Sequence, residues 1–182
     1  MLGGIVLNRI VNWITTNDTH VFHFVNQQLR SRFLDFFLPR ITHIGGATFT
    51  ILSLVLIMIV TDSDARSWAF QALLSLTLSH IIVHLIKKIY CRQRPYDSLS
   101  GVNLSSNPLK DYSFPSGHTT AAFSIAVVFS LQSLFLAILL LPAAFLVGFS
   151  RMYLGLHYPT DCIIGALLGT ISSIIVVYVA YI

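Results

Sequence analysis

Two residues whose types and spacing could support chemistry, His157 and Asp161, lie four positions apart in the stretch LHYPTD. Pro159, between them, suits the first turn of a helix, and residues four apart share a helix face. If this turn is helical, the Asp161 carboxylate can hold one imidazole nitrogen of His157 and leave the other free to attack phosphorus. The pair therefore predicts an oriented histidine nucleophile.

Three cationic residues, Lys87, Arg94 and Arg151, lie in stretches that we expect to reach the same volume. Lys87 and Arg94 are seven positions apart, so two helical turns can place them on one face, and Pro95 should end that helix at Arg94. Three cations in one small volume repel each other unless an anion with several oxygens joins them. Phosphate fits, because arginine offers a bidentate fork and lysine a point charge.

The stretch PSGH, Pro115–His118, stands just before an apolar run that begins at about Thr119. Ser116 can cap a helix that starts here, and the backbone N–H groups of Gly117 and His118 then point out of its positive end. Gly117 has no side chain to block an approaching anion, and His118 can donate or accept a proton. With the histidine nucleophile and the cations, this stretch predicts a phosphoryl-transfer site without metal ligands.

The composition indicates what kind of protein must position these residues. Of the 182 residues, 55% are hydrophobic and only 10% are charged, and the mean hydropathy is +0.77. A soluble domain usually carries about 25% charged residues. We therefore predict an integral membrane protein, all-α, with one domain over residues 1–182, and we find no secretory signal peptide.

Apolar segments of about 20 residues, the length that crosses a membrane, predict five transmembrane helices. The long apolar run over residues 119–149 gives two of them if the polar pair Gln132 and Ser133 forms a tight turn, and Pro142 should kink the second without ending it. The predicted spans are Ile41–Val60, Trp68–Ile86, a third from Ser116 to the turn, a fourth that ends near Ser150, and Pro159–Ile182.

Residues 1–40 are predicted to form an arm outside the transmembrane core, which covers residues 41–182. Apolar residues between Val21 and Leu38 recur at helical spacing, with Arg30, Arg32 and Asp35 among them. This pattern favours an amphipathic helix that lies in the membrane interface. For the first sixteen residues, a loosely ordered arm is an equally good interpretation.

Alternation of the spans brings three polar stretches to one membrane face. The second span ends in Lys87–Pro95, the third begins in PSGH, and the fourth and fifth meet at Ser150–Asp161. Ionisable residues at membrane depth are costly and mark functional sites. We therefore expect the three stretches to form one site.

These three stretches resemble the three-part signature of the type 2 phosphatidic acid phosphatase (PAP2) family. The wider superfamily also includes soluble acid phosphatases and vanadium haloperoxidases. The match covers all the motifs in order, and a haloperoxidase is not expected in so apolar a protein. The motifs are K-x6-R-P (Lys87, Arg94, Pro95), P-S-G-H (Pro115–His118) and S-R-x5-H-x3-D (Ser150, Arg151, His157, Asp161).

The resemblance implies a role for each residue. His157 would attack the phosphate and form a phosphohistidine, with Asp161 orienting it. His118 would protonate the leaving oxygen and then activate the water that releases phosphate. Neither a metal nor another cofactor is implied, and the first of the six spans found in many members is absent here. The implied phosphate-binding groups are Lys87, Arg94, Arg151, Ser116 and the amide of Gly117.

The activity implied by the resemblance is that of a membrane phosphatase for a lipid phosphate or diphosphate, such as phosphatidate, phosphatidylglycerol phosphate or undecaprenyl diphosphate. Two alternatives stay open. One is a lipid phosphotransferase, whose first chemical step is the same. The other is a non-catalytic transporter or binding protein for anionic lipids, which would need the cations but not His157. The expected partners are this substrate and membrane lipids, with no nucleic acid, and the oligomeric state is open.

Membrane orientation receives two opposing indications. The positive-inside rule places the site in the cytoplasm, because ten of the eleven Lys and Arg residues fall on its side and only Arg66 falls opposite. The resemblance implies instead that the site lies on the extracytoplasmic face of the cell membrane, and this is our expectation. The ten are Arg9, Arg30, Arg32, Arg40, Lys87, Lys88, Arg92, Arg94, Lys110 and Arg151.

Several other polar residues receive structural interpretations. Lys88 and Arg92 are predicted to contact lipid head groups. His80 and His84, four apart, are predicted to face the bundle interior rather than to bind a metal, since no third ligand is visible. Cys91 is interpreted, like Cys162, as a free thiol, although one side of the membrane could hold both.

Overall fold

The computed structural model describes residues 2–61, 64–180 and 182, and the described part contains helices and loops but no β-strand. This confirms the all-α prediction. A π-helical turn at Phe24–Gln28 follows the first helix, and a 3-10 turn at Thr42–Gly45 follows the second. The α-helices in chain order are α1 (Leu2–His23), α2 (Arg32–Ile41), α3 (Ala47–Val60), α4 (Asp64–Tyr90), α5 (Pro95–Ser98), α6 (Gly117–Gln132), α7 (Leu134–Tyr153) and α8 (Pro159–Ala180).

Within the described ranges, three helical segments are long and apolar enough to cross a membrane. They are the segment that begins in α4, and the helices α7 and α8. Helices α2 and α3 make a fourth if the pair, bent by 58°, is counted as one span. Helix α6 has only 16 residues, fewer than the ~20 that a span needs. A helical membrane protein is therefore confirmed, and the five-span count stays a prediction.

The first predicted span, Ile41–Val60, is interrupted in the structure, and the next span is longer than predicted. A 3-10 turn ends at Gly45, and α3 begins only at Ala47. A Cβ atom at Gly45 would lie 2.6 Å from the carbonyl oxygen of His118. The chain therefore breaks where its backbone touches the start of α6, a contact that hydropathy cannot reveal.

The predicted turn between the third and fourth spans lies where the polar pair indicated. Helix α6 ends at Gln132, and Ser133 has extended backbone angles (φ −153°, ψ 123°) before α7 begins. Pro142 lies inside α7 and does not end it. The position of this turn is thus predicted correctly from local polarity.

Helix α6 lies among α4, α7 and α8, and its closest approach is to α8. A Cβ atom at Gly165 would lie 2.7 Å from the carbonyl oxygen of Ser116, and one at Gly169 would lie 2.6 Å from that of Thr120. Small residues four apart let two membrane helices bring their backbones together. The glycines of α8 therefore hold its first turn against the PSGH segment.

Buried serine pairs connect the same helices below the glycine contacts. The hydroxyl oxygens of Ser79 and Ser124 are 2.8 Å apart, and those of Ser75 and Ser173 are 3.0 Å apart. Ser173 also donates to the carbonyl oxygen of Ser124 at 2.8 Å. Because buried hydroxyls need partners, these pairs fix the register of α4, α6 and α8.

The N-terminal residues differ from both interpretations of the sequence. Helix α1 covers the first sixteen residues, apart from Met1, which lies outside the described residues, so a loosely ordered arm does not describe them. The predicted helix between Val21 and Leu38 is divided, since helical backbone stops at Gln28 and resumes at Arg32, where Ser31 accepts the N-cap bond from Leu34. An interfacial position for these helices stays a prediction.

Substitution of Gly169 tests the close approach of α6 and α8. We expect Gly169→Ala to lower the free energy of unfolding by about 1–3 kcal/mol, because the new methyl group overlaps backbone atoms that cannot move freely. Thermal unfolding in detergent measures the effect. Gly117→Ala is the matched control, since a Cβ there meets nothing nearer than 3.9 Å. Equal melting temperatures for the two variants would contradict this packing.

Candidate active site

The three polar stretches meet at one end of the helices, as alternation of the spans predicted. Arg94, which follows α4, donates from Nη1 to the carbonyl oxygen of Leu156 at 2.8 Å. The backbone N–H of Ser116, before α6, donates to the carbonyl oxygen of Asp161 in α8 at 3.0 Å. These contacts join residues from three separate parts of the chain around His157.

His157 is buried in the loop between α7 and α8, with 2% of its surface exposed. Its Nε2 atom is 3.1 Å from Nη1 of Arg94. Because a guanidinium can only donate, Nε2 is the acceptor, which puts the ring proton on Nδ1. Burial lowers the pKa of His157, and Arg151 and Arg94 lower it further against the opposing effect of Asp161, so the imidazole is neutral near pH 7.

The Asp161 carboxylate is fully buried and faces Nδ1 of His157 at 3.5 Å without forming a hydrogen bond to it. The prediction that both lie on one helical turn is wrong, because α8 begins only at Pro159. The Oδ2 atom of Asp161 accepts instead from the backbone N–H of Tyr158 at 2.8 Å and from the hydroxyl of Ser113. Asp161 is therefore held firmly beside the ring of His157 without being bonded to it.

Arg92 is a site residue that the sequence reasoning missed. Its Nη1 atom donates to Oδ1 of Asp161 at 2.7 Å, and its guanidinium lies 4.0 Å from the ring centroid of Tyr158. Arg92 was predicted to contact lipid head groups; in the structure its side chain is paired with buried carboxylates, and 26% of it is exposed. One signal was present in the sequence, because Arg92 stands between Lys87 and Arg94 at the end of the same apolar helix.

The cations Lys87 and Arg94 are joined by a loop carboxylate that sequence reasoning did not single out. Asp111 accepts at Oδ2 from Nζ of Lys87 (2.5 Å) and at Oδ1 from Nη2 of Arg94 (2.7 Å). Although partial burial opposes the shift, these ion pairs lower the pKa of Asp111 to about 2. Asp111 is therefore ionised throughout the physiological pH range.

Lys87 and Arg94 do not share a helix face, so that prediction is wrong. Helix α4 ends at Tyr90, and Cys91 has a positive φ of 44°. Arg94 is extended (φ −79°, ψ 156°) ahead of α5. The change of direction turns Arg94 back towards His157, while Lys87 stays on the last turn of α4.

Arg151 and the PSGH segment supply further donors. Arg151 is buried and donates from Nη1 to the hydroxyl of Thr42 at 2.8 Å, while its buried Nε has no protein partner. Ser116 caps α6, accepting at 3.5 Å from the N–H of Thr119. Its hydroxyl is completely buried and lies 2.9 Å from the hydroxyl oxygen of Thr119, so both of these contacts are within the first turn of α6.

Gly117 and His118, the last two residues of this segment, lie at the start of α6. Gly117 is its first residue, and a Cβ there would have only Nε2 of His80 within 4 Å, at 3.9 Å. His118 is half-buried, with Nε2 3.7 Å from where a Cβ of Gly46 would lie. The predicted proton donor is thus at the edge of the site rather than in its buried centre.

An apolar groove of about 750 Å³ opens beside the site between α7 and α8. Thr119, Pro159 and Cys162 line its upper end, next to the residues just described. Phe123 and Leu167 line it further along the helices. A hydrocarbon chain could lie in this groove with its polar end at the cluster of cations.

Two histidines and two cysteines also have predicted structural roles. His84 is exposed on the outer surface, so the prediction that it faces the interior is wrong, while His80 is partly buried and its Nδ1 lies 3.0 Å from the carbonyl oxygen of Leu76. Cys91 is exposed, Cys162 is buried, and both are free thiols. In the described part of the chain, His, Cys, Asp and Glu side chains form no group of three or more that could hold a metal ion.

Two curated relatives share about a third of their aligned residues with this chain. The Bacillus licheniformis protein named bacitracin transport permease protein BcrC is 33% identical over 132 residues, which are 72% of this chain and 65% of that protein. An undecaprenyl-diphosphatase of Sulfolobus acidocaldarius is 31% identical over 115 residues, 63% of this chain and 56% of that protein. The chain thus spans less than two thirds of the length of either relative.

Two solved structures have the same fold over most of their length. Aquifex aeolicus LpxE superposes with a TM-score of 0.80 at 32% identity, over 88% of this chain and 94% of that one. A PAP2-type phosphatidylglycerolphosphate phosphatase from Bacillus subtilis superposes with a TM-score of 0.78 at 26% identity, over 93% of this chain and 87% of that one. Family comparison matches residues 68–181 to the PAP2 superfamily. Because this match contains all three polar stretches and more than half of the chain, the protein belongs to the PAP2 superfamily.

Proposed function

We propose that this protein is a membrane phosphatase that hydrolyses the phosphomonoester or diphosphate of a lipid. The observation that carries the proposal is the position of the buried His157 ring between Arg94 and Asp161, two residues before Pro159 in the lining of an apolar groove. Lipid phosphatases among the similar proteins, such as the phosphatidylglycerolphosphate phosphatase of Bacillus subtilis, support it. A site that only bound anions would need no oriented imidazole.

The proposed reaction has two steps and uses no metal. In the first, Nε2 of His157 attacks phosphorus, a P–N bond forms, the P–O bond to the lipid breaks, and His118 gives a proton to the leaving oxygen. In the second, His118 takes a proton from water, the water oxygen bonds to phosphorus, and the P–N bond breaks to release phosphate. Asp161 stabilises the positive charge that develops on His157 during the attack.

The cations Lys87, Arg94 and Arg151 are the proposed ligands of the phosphoryl oxygens, with the N–H of Gly117 at the positive end of α6. The unpartnered Nε of Arg151 supports its role. Arg94 must transfer its bond from Nε2 of His157 to a phosphoryl oxygen, which releases the nitrogen lone pair for attack. Ser116 then acts mainly by starting α6 where it does.

The groove supports a substrate with at least one long hydrocarbon chain. Its lining is almost entirely apolar, and Thr119 and Pro159, which line it, are close in sequence to Ser116 and His157 of the site. Phosphatidate, phosphatidylglycerol phosphate and undecaprenyl diphosphate all have this form. Transport of an anionic lipid is a second candidate, because the relative from Bacillus licheniformis carries the name of a permease.

Replacement of the nucleophile separates the two candidates. We expect His157→Ala to lower kcat for phosphate release from these lipids at least about 1,000-fold in detergent with EDTA, because no other imidazole can take its position. His84→Ala is the matched control, since this histidine is exposed away from the site. Wild-type protein that moves lipid between vesicles but releases no phosphate would support the transporter instead.

The loop carboxylate of Asp111 should compete with phosphate for Lys87 and Arg94. We expect Asp111→Asn to lower the inhibition constant of inorganic phosphate about tenfold at pH 7, since a fixed anion no longer repels the bound one. Because the pKa of Asp111 is about 2, Asp111 stays ionised between pH 5 and 8 and adds no pH dependence of its own to this difference. Asp97→Asn, an exposed carboxylate nearby, is the control. A higher inhibition constant would mean that Asp111 instead holds the cations in place.

We propose further that the active site lies on the extracytoplasmic face of the cell membrane, and Cys91 offers a test. This thiol is exposed beside the site, whereas the thiol of Cys162 is buried. A membrane-impermeant maleimide should label Cys91 in intact cells, and a Cys91→Ser variant should stay unlabelled. Labelling only after lysis would place the site in the cytoplasm, as the distribution of Lys and Arg favours.

A further inference from the structure

Asp18, in the N-terminal helix α1, is a buried carboxylate that none of the predicted roles includes. Only 4% of its surface is exposed. It lies outside residues 68–181, the part of the chain that matches the superfamily. A buried carboxylate is costly unless it is paired and hydrogen-bonded, so its partners indicate why it is there.

The partners of Asp18 are all at the active site. Its Oδ2 atom accepts from Nη2 of Arg92 at 2.6 Å, and the same oxygen accepts from the hydroxyl of Thr160 at 2.6 Å. Its Oδ1 atom accepts from the backbone N–H of Thr160 at 2.8 Å. Asp18 therefore contacts both the arginine and the residue next to Asp161.

Arg92 stands between two carboxylates and uses a different nitrogen for each. Nη2 contacts Asp18, and Nη1 contacts Oδ1 of Asp161 at 2.7 Å. Tyr158 lies under the guanidinium plane, and Phe22 of α1 packs near the Tyr158 ring at 5.7 Å between centroids. The guanidinium is thus held in one orientation, with α1 closing one side.

We propose that Asp18 is a positioning residue that acts through Arg92 on Asp161, so that α1 is part of the active site. The inference rests on the proposed function, because it assigns Asp161 to the orientation of His157. Without the Asp18 carboxylate, Arg92 is paired with Asp161 alone, and its guanidinium is free to rotate towards the exposed surface of the protein. Oδ1 of Asp161 then loses a fixed cationic partner, and the developing charge on His157 is less well stabilised.

A purely structural role for Asp18, as the cap of α8, makes a different prediction. Asparagine caps helices as well as aspartate does, so Asp18→Asn keeps an acceptor for the N–H of Thr160. The same substitution removes the negative charge that holds Arg92. If Asp18 only caps α8, Asp18→Asn should have the kcat of wild type. If Asp18 positions Arg92, the same variant should have a lower kcat.

A double-mutant cycle on kcat and KM tests the proposal in the full-length protein, with phosphate release from the preferred lipid as the assay. We expect Asp18→Asn to lower kcat about tenfold and Arg92→Gln about a hundredfold, with KM changed less than about threefold, because neither residue contacts the phosphate. The double variant should match Arg92→Gln alone, because asparagine keeps the bond to the N–H of Thr160 and the remaining effect of Asp18 passes through Arg92. Arg92→Lys should restore part of kcat.

Asp35→Asn is the matched control. Asp35 is another N-terminal carboxylate, and it joins Arg30 (2.6 Å) and the hydroxyl of Tyr153 (2.9 Å) well away from Asp161. Its loss should leave kcat within about twofold of wild type. An Asp18→Asn variant with wild-type kcat, or a double variant whose losses multiply, would overturn the proposal.

Hydrogen–deuterium exchange provides a readout that does not depend on activity. Asp18→Asn and Arg92→Gln should both accelerate amide exchange in α1, and Asp35→Asn should not. If wild-type protein releases no phosphate from any lipid, the proposed function fails while the exchange data still test the contact between Asp18 and Arg92. If amide exchange in α1 is the same in both variants as in wild type, the contact between Asp18 and Arg92 does not hold α1 in place, and the inference is wrong.

Discussion

The buried carboxylate of Asp161 is the group on which the rest of the site depends. It is fully removed from water, so its charge needs donors on every side. They come from Arg92 after α4, from Ser113 before α6, and from the backbone of Tyr158 before α8. Satisfying this one carboxylate therefore brings the ends of three helices together, and His157 is carried into position with them.

The charges around this centre alternate, which explains how several arginines can be buried close together. Arg92 lies between Asp18 and Asp161, while Asp111 lies between Lys87 and Arg94. Each buried cation with a carboxylate partner avoids most of the cost of leaving water. Arg151 is the exception, because Thr42 satisfies only one of its nitrogens, and this is the guanidinium best placed to accept an anion.

Helix packing then decides where a lipid can reach this charged centre. Glycines and serines bring α6 and α8 into contact near Ser116 and Thr120, while larger side chains on α7 and α8 leave the apolar groove between them. One face of α8 packs closely against α6, and an adjacent face lines the open groove. The rigid polar site therefore lies beside an apolar groove wide enough for a hydrocarbon chain. Under the proposed function, chemistry and lipid binding therefore use different faces of one helix.

The sequence by itself determined the helical membrane class, the turn at Gln132 and the free thiols, and it predicted the eight residues of the proposed site. Runs of apolar residues, caps and prolines act over a few positions, so they can be interpreted without the fold. Only the tertiary structure decided how the charges pair. Arg92 and Asp18 are in contact although 74 positions separate them in the sequence, and Thr160 and Asp18 although 142 do. No local sequence pattern predicts such a contact. For the same reason the sequence could not reveal the break at Gly45, which exists because another helix touches it there.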